Sequence, residues 1–184
     1  MEIKGTAVKA IREFILRKFQ TRYNGWINSL SNKSKYIMSG TILLGKWYPF
    51  HEAFIEPFEK AYQFSSDDKE ELPRRCGRFI ADYNIKKVYK VFLKIGSPAF
   101  TVSRAPAIFN RYFRPVKMNI IENSPNKAVL HIVVFPQANE IVEFTIAGWM
   151  ERVLEMIGCK KPEVKISQSL TKGNKVTEFI LQWK

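Results

Sequence analysis

"VKMNIIENSPNKAVLHIVVF", Val116 to Phe135, is the stretch whose reading decides the fold. Two runs rich in β-branched and apolar residues flank Asn123-Ser124-Pro125-Asn126, a cluster of turn formers, so the pattern predicts strand, turn, strand. The next segment, "ANEIVEFTIAGWMERVLEMIG", changes period. Val142, Ile146, Trp149, Val153 and Ile157 fall on one helical face, and Gly158 closes the helix. "PEVKISQSL" and "KVTEFILQWK" then alternate apolar and polar residues on either side of the turn Lys172-Gly173-Asn174-Lys175. Residues 114–184 therefore read as hairpin, helix, hairpin.

Upstream, residues 1–113 read as mainly helical. "GTAVKAIREFILRKF", Gly5 to Phe19, repeats Val8, Ile11, Phe14 and Ile15 at helical spacing. Pro49 and Pro57 punctuate the segment that follows Trp47, which predicts a helix starting near the first proline and kinking near the second. The clearest helix starts from Ser65 and Asp68, enters at Pro73 and ends at Gly96. Ile80, Asn84, Val88, Phe92 and Ile95 share one face of it, and Lys86, Lys90 and Lys94 share another that suits solvent. A short helix passes through Phe109 and Tyr112. Helices first and hairpins later make an α+β chain, with an antiparallel sheet covered by helices on one face.

At 184 residues the chain suits one domain, 1–184, with 46% hydrophobic and 14% aromatic residues to build a core. Met1 to Lys4 leads directly into an amphipathic pattern without a leader, and no apolar run reaches the ~20 residues that cross a bilayer. Two cysteines, Cys76 and Cys159, make no disulfide framework. These features predict a cytoplasmic protein. The net charge of +13 and a pI near 9.8 favour polyanionic partners, nucleic acid or anionic membrane.

Several motifs together resemble one superfamily. "KGTAVKAIREFI", "GRFIADYNIKKVYKVFL", "RAP" at 104–106 and the hairpin–helix–hairpin ending resemble the haem nitric-oxide/oxygen-binding (H-NOX) domains. The four-vinyl-reductase-like sensors and the Golgi transport-particle subunits share that superfamily. "WYPFHEAFIEP", "FLKIGSPAFTVSRAPAIFNRYFRP" and "IAGWMERVLEMIGC" are most similar to a haem-less bacterial branch first noted in myxobacteria. The resemblance implies helices on one side of a four-stranded antiparallel sheet, with an apolar cavity between the layers.

Each cofactor of the superfamily is then an expectation to test on residues. Haem needs an axial ligand, usually histidine. Counting back from Arg104-Ala105-Pro106 to the superfamily's ligand position lands near Leu93, His131 lies in a strand, and His51 lies at a helix start. The propionate-binding Tyr-x-Ser-x-Arg motif has no counterpart in "HIVVFPQANE". Zinc in the four-vinyl-reductase-like sensors is held by cysteines flanking the last turn, where this chain has Ser169 and Thr177, hydroxyls that do not replace thiolates. The expectation is therefore a chain with neither haem nor zinc. No nucleophile elbow or phosphate-cradling loop is present, and Glu151 and Glu155 read as a wet helix flank, so no enzyme activity is expected.

What remains is a non-enzymatic sensory or regulatory module with a small, largely apolar or amphipathic ligand between the layers. Trp47, Phe92, Phe109, Tyr112 and Trp149 are the candidate lining, and Arg104 is the candidate charge that orients a polar head. A protein–protein adaptor, docking through "WYPFHEAF" or the lysine stripe and assembling with a signalling partner or a second copy, is the first alternative. The transport-particle likeness adds an acyl chain on Cys76 to that alternative. A basic surface for nucleic acid or anionic membrane is the second.

Overall fold

The computed structural model describes residues 1–88 and 97–184. The two hairpins form as their alternation dictates. Strand β4 (Lys117–Ser124) pairs antiparallel with β5 (Lys127–Val134), and β6 (Glu163–Gln168) pairs antiparallel with β7 (Thr177–Gln182). The hairpins join through β5 and β7, with Leu130 opposite Phe179, so the sheet order is β4-β5-β7-β6. Alternation sets the faces: Ala128, Leu130 and Ile132 are buried, while His131 between them is half-buried on the other side. Helix α8 (Glu140–Met156) makes the connection between β5 and β6. Asn139 caps it, its side-chain oxygen accepting the Ile141 amide at 2.9 Å.

The N-terminal half holds a feature its pattern does not announce. Strands β1 (Glu2–Lys4), β2 (Trp47–Pro49) and β3 (Phe113–Arg114) form a second antiparallel sheet in the order β2-β1-β3, with Ile3 opposite Tyr48 and Phe113. Strands of two and three residues are too short for alternation to register. Helices α1 (Gly5–Phe19), α2 (Tyr23–Ser29) and α3 (Asn32–Ser39) follow β1. After β2 a π-helical turn, His51–Ile55, runs into α4 (Glu56–Ala61). Pro57 lies in the first turn of α4, at the point where the π-helical winding that starts just after Pro49 gives way to α-helix. Phe50, Phe54 and Phe58 recur every four residues through this stretch and pack in sequence, the first pair stacked and the second tilted, with ring centroids 5.3 Å apart at each step.

Helix α5 (Glu71–Val88) begins at a different cap from the one expected. Asp68 Oδ1 accepts the amides of Glu70 and Glu71 at 2.9 and 2.6 Å, and Ser65 Oγ instead accepts the Asp67 amide. The side chains of the expected lysine stripe and the helix end at Gly96 fall outside the described residues. Two further helices, α6 (Pro98–Ser103) and α7 (Ala105–Tyr112), lead to β3.

Helices α5 and α8 cross main chain against main chain. A Cβ on Gly77 would lie 2.0 Å from the Thr145 carbonyl oxygen, and one on Gly148 would lie 2.1 Å from that of Arg74. Only glycine permits that approach. Ion pairs flank the crossing: Arg74 Nη1 to Glu151 Oε1 at 2.6 Å, Arg78 Nη2 to Glu155 Oε2 at 2.8 Å, and Arg152 to Asp82 at 3.0 Å and Glu155 at 2.8 Å. Glu151 and Glu155, expected to form a wet flank, tie α8 to α5.

Candidate ligand-binding site

A cavity of about 60 Å³ lies where the small sheet, α5, α7 and α8 meet. Each element reaches it because its apolar stripe turns inward. Helix α7 supplies Ala105, Ile108, Phe109 and Tyr112, α8 supplies Thr145, Ile146, Trp149 and Met150, and α5 supplies Ile80. The floor comes from Ile3 and Phe113 of the small sheet and Met118 of β4. The Thr145 hydroxyl is committed to the Ile141 carbonyl at 2.7 Å. With its walls apolar and that hydroxyl already satisfied, such a space stays dry and favours apolar occupants. A second cavity of about 30 Å³ lies towards α6, β5 and β7, and Ala105, Ile108, Trp149 and Met150 form the wall between the two. On α5, one turn beyond Ile80, Asn84 Nδ2 is buried without a hydrogen-bond partner among the described residues.

The structure brings Phe109, Tyr112 and Trp149 together in this lining. Phe92 lies outside the described residues. Trp47 is placed elsewhere: β2 holds its ring in the small sheet, with Lys4 Nζ 4.6 Å and the Arg114 guanidinium 4.3 Å from its centroid. Arg104 is also outside the lining. It joins α6 to α7 with its side chain exposed and stacked 5.0 Å from the Phe100 ring. Ile3, Met118 and Ile146 also line it, although the sequence singles out none of them as a lining residue. Ile3 arrives through a strand whose pairing partners are remote in sequence, Met118 through the first hairpin, and Ile146 from the same face of α8 as Trp149.

Polar clusters elsewhere are internally satisfied. Glu143 of α8 is 4% exposed, and its two carboxylate oxygens accept hydrogen bonds from Ser169 Oγ, at 2.7 Å, and from Thr177 Oγ1. The residues flanking the last turn therefore clasp a carboxylate. Glu56 is held likewise by the Ser31 amide and by the Ser31 and Ser34 hydroxyls. Burial raises its pKa, but these hydrogen bonds together outweigh burial and leave it below the ordinary carboxylate value. On the outer sheet face His131 Nε2 lies 2.6 Å from Glu178, which also accepts from Ser167 at 2.5 Å. Cys76 is fully buried, and burial pushes its thiol pKa well up, which keeps it neutral. Among the described residues no group of three or more His, Cys, Asp or Glu side chains is placed to hold a metal ion.

No family model matches the chain, and no curated protein matches it. Solved structures do. An H-NOX protein from S. oneidensis in the Fe(II)NO state superposes with a TM-score of 0.76 at 12% identity, covering 99% of both chains. The unliganded Fe(II) H-NOX protein from K. algicida gives 0.73 at 11% identity, covering 99% of this chain and 97% of that one. The H-NOX domain from Shewanella oneidensis in the Fe(II)CO state gives 0.65 at 13% identity over 99% of both. The fold is H-NOX-like. At such identities it is the fold alone that is shared.

These structures correct the expectation of a chain without cofactor. All three similar proteins carry ferrous iron, so the scaffold adopted here is one that holds haem, and the lack of a histidine near Leu93 does not exclude the group. The donor chemistry of the cavity fits haem in kind. Tyr112, Met118 and Met150 line it, and phenolate and thioether are both axial ligands of haem iron. A bound haem would take an axial ligand from among these three side chains, and the apolar walls would pack against the macrocycle. Bound there, haem would supply a site for a diatomic gas. At its present volume the cavity admits only a small molecule, so a macrocycle requires the α5, α7 and α8 walls to part.

Proposed function

We propose that this domain is a sensory module that takes up a small, largely apolar ligand in the α5–α7–α8 cavity and has no catalytic step of its own. The observation that carries the proposal is the apolar interlayer cavity, lined by side chains of eight elements. The H-NOX-like fold supports it, because the similar structures hold their iron with the small ligands NO or CO. The internally satisfied state of the Glu56, Glu143 and Glu178 clusters supports the absence of catalysis, since each carboxylate is already committed to local donors.

The test uses Trp149, which forms part of the wall. Titration with toluene, indole and haemin, read by tryptophan fluorescence and absorption, should give a saturable change with at least one of them. The change should disappear in Trp149→Phe as signal and in Ala105→Phe, which fills the space, as binding. A Soret band that shifts in Tyr112→Phe would make haem the ligand. Titrations that fail to saturate with all three probes overturn the proposal.

A further inference from the structure

Residues 14–51 contain Arg17, Lys18, Arg22, Lys33, Lys35 and Lys46 and none of the chain's 17 acidic residues. Within this basic stretch lies the loop from Gly40 to Lys46. Leu43 and Leu44 in it are 57% and 50% exposed, and Tyr36, four residues before Gly40 on α3, is 82% exposed. The loop is fixed at both ends. Arg12 Nη1 donates to the Gly40 carbonyl at 2.8 Å and to that of Met38 at 3.4 Å. The Leu43 amide donates to Tyr48 Oη at 2.8 Å, and the Gly5 amide donates to the Lys46 carbonyl at 2.8 Å. A Cβ on Gly5 would lie 2.1 Å from the Leu43 carbonyl oxygen, so the loop sits directly on the start of α1. Ile42 between the anchors is buried. A pinned main chain thus holds two leucines out into solvent, amid lysines.

The geometry points to this loop as a docking surface for an anionic lipid bilayer. Leu43 and Leu44 enter the boundary between headgroups and acyl chains, Tyr36 suits the headgroup level, and Lys33, Lys35 and Lys46 supply the positive charge that anionic headgroups attract. Charge complementarity favours an anionic partner, because residues 32–51 contain no acid, although Lys18 earlier in the stretch is already paired with Asp67 at 2.6 Å. The exposed leucines choose among anionic partners, since a phosphate–sugar backbone offers them no apolar contact. One loop with two leucines gives reversible attachment, and this inference is independent of what the cavity holds.

Flotation of the full chain with vesicles tests it, using phosphatidylcholine alone and phosphatidylcholine with roughly one-third phosphatidylserine. The protein should float with the anionic vesicles and not with the neutral ones. Leu43→Ser with Leu44→Ser should lower the partition about tenfold without changing charge. Lys33→Gln, Lys35→Gln and Lys46→Gln together should lower it and flatten its salt dependence. Because all five side chains lie outside the core, unchanged melting temperatures verify that the variants fold. Retention of full binding by the leucine variant overturns the inference. So does tighter binding of duplex DNA than of anionic vesicles, or a leucine-dependent dimer in sedimentation without lipid.

Discussion

Ser169 and Thr177 show what a single side chain can conceal. In sequence they flank the last turn as two hydroxyls too weak for zinc; in the fold they hold the carboxylate of Glu143 at 4% exposure. Removing one donor leaves a buried carboxylate short of a hydrogen bond, which costs about 1–3 kcal/mol. Thr177→Val, which keeps the shape, should therefore lose about 2 kcal/mol in urea unfolding. The triple change Glu143→Leu, Ser169→Ala, Thr177→Val should recover the share of that loss owed to the carboxylate and not the share owed to the Leu170 and Thr171 amides, which Thr177 Oγ1 and Ser169 Oγ accept. A triple variant as unstable as the single one would assign the loss to those amides and to packing. The hydroxyl pair was legible in the sequence, but its partner was not. Glu143 lies 26 and 34 residues away on a helix whose polar positions all look alike.

Among the elements, those with long periodic patterns were legible: α1, α5, α8 and both hairpins follow from spacing and turn residues alone. The small β2-β1-β3 sheet was not, because its information lies in pairing between residues 2–4, 47–49 and 113–114. For the same reason Trp47 looked like a lining residue, although its ring lies between Lys4 and Arg114 in that sheet. The α5–α8 crossing was equally hidden, since a glycine inside a helix reads only as a weak helix former. Gly148→Ala sets a methyl group 2.1 Å from the Arg74 carbonyl oxygen, and the clash is with main chain that has no rotamer to change. The expected loss is about 3 kcal/mol or more in chemical denaturation, against about 1 kcal/mol of gain for the same change in an open helix. A neutral result would mean that the helices part easily.

At the scale of the whole molecule, pH reports how many carboxylates folding has committed. Glu56, Glu122, Glu155 and Glu178 are held below the ordinary value of 4.5, each through hydrogen bonds or ion pairs of the folded state. For Glu56 and Glu155 burial is the largest single influence and raises the pKa, yet the donors around each prevail together. For Glu178 the hydrogen bond from Ser167 leads. A group depressed on folding contributes stability that is complete above its unfolded pKa and is lost as pH falls through its folded one. Glu151 runs the other way, because burial raises it despite Arg74 and Arg78, so its contribution fades as pH rises through its folded value. The four outnumber the one. Melting temperature should hold steady from neutrality to near 4.5 and fall below it, and Ser31→Ala with Ser34→Ala should shallow that fall by freeing Glu56. An unchanged acid limb in that variant would remove Glu56 from the account.

Where two helices meet through side chains, descent with modification can enlarge one residue, trim its neighbour and so shift the spacing by small steps. Gly77 and Gly148 have nothing to trade. The distance between α5 and α8 is consequently a dimension of this scaffold that gradual divergence cannot adjust, and retuning of the chamber beside it falls to its other walls, α7, the small sheet and β4.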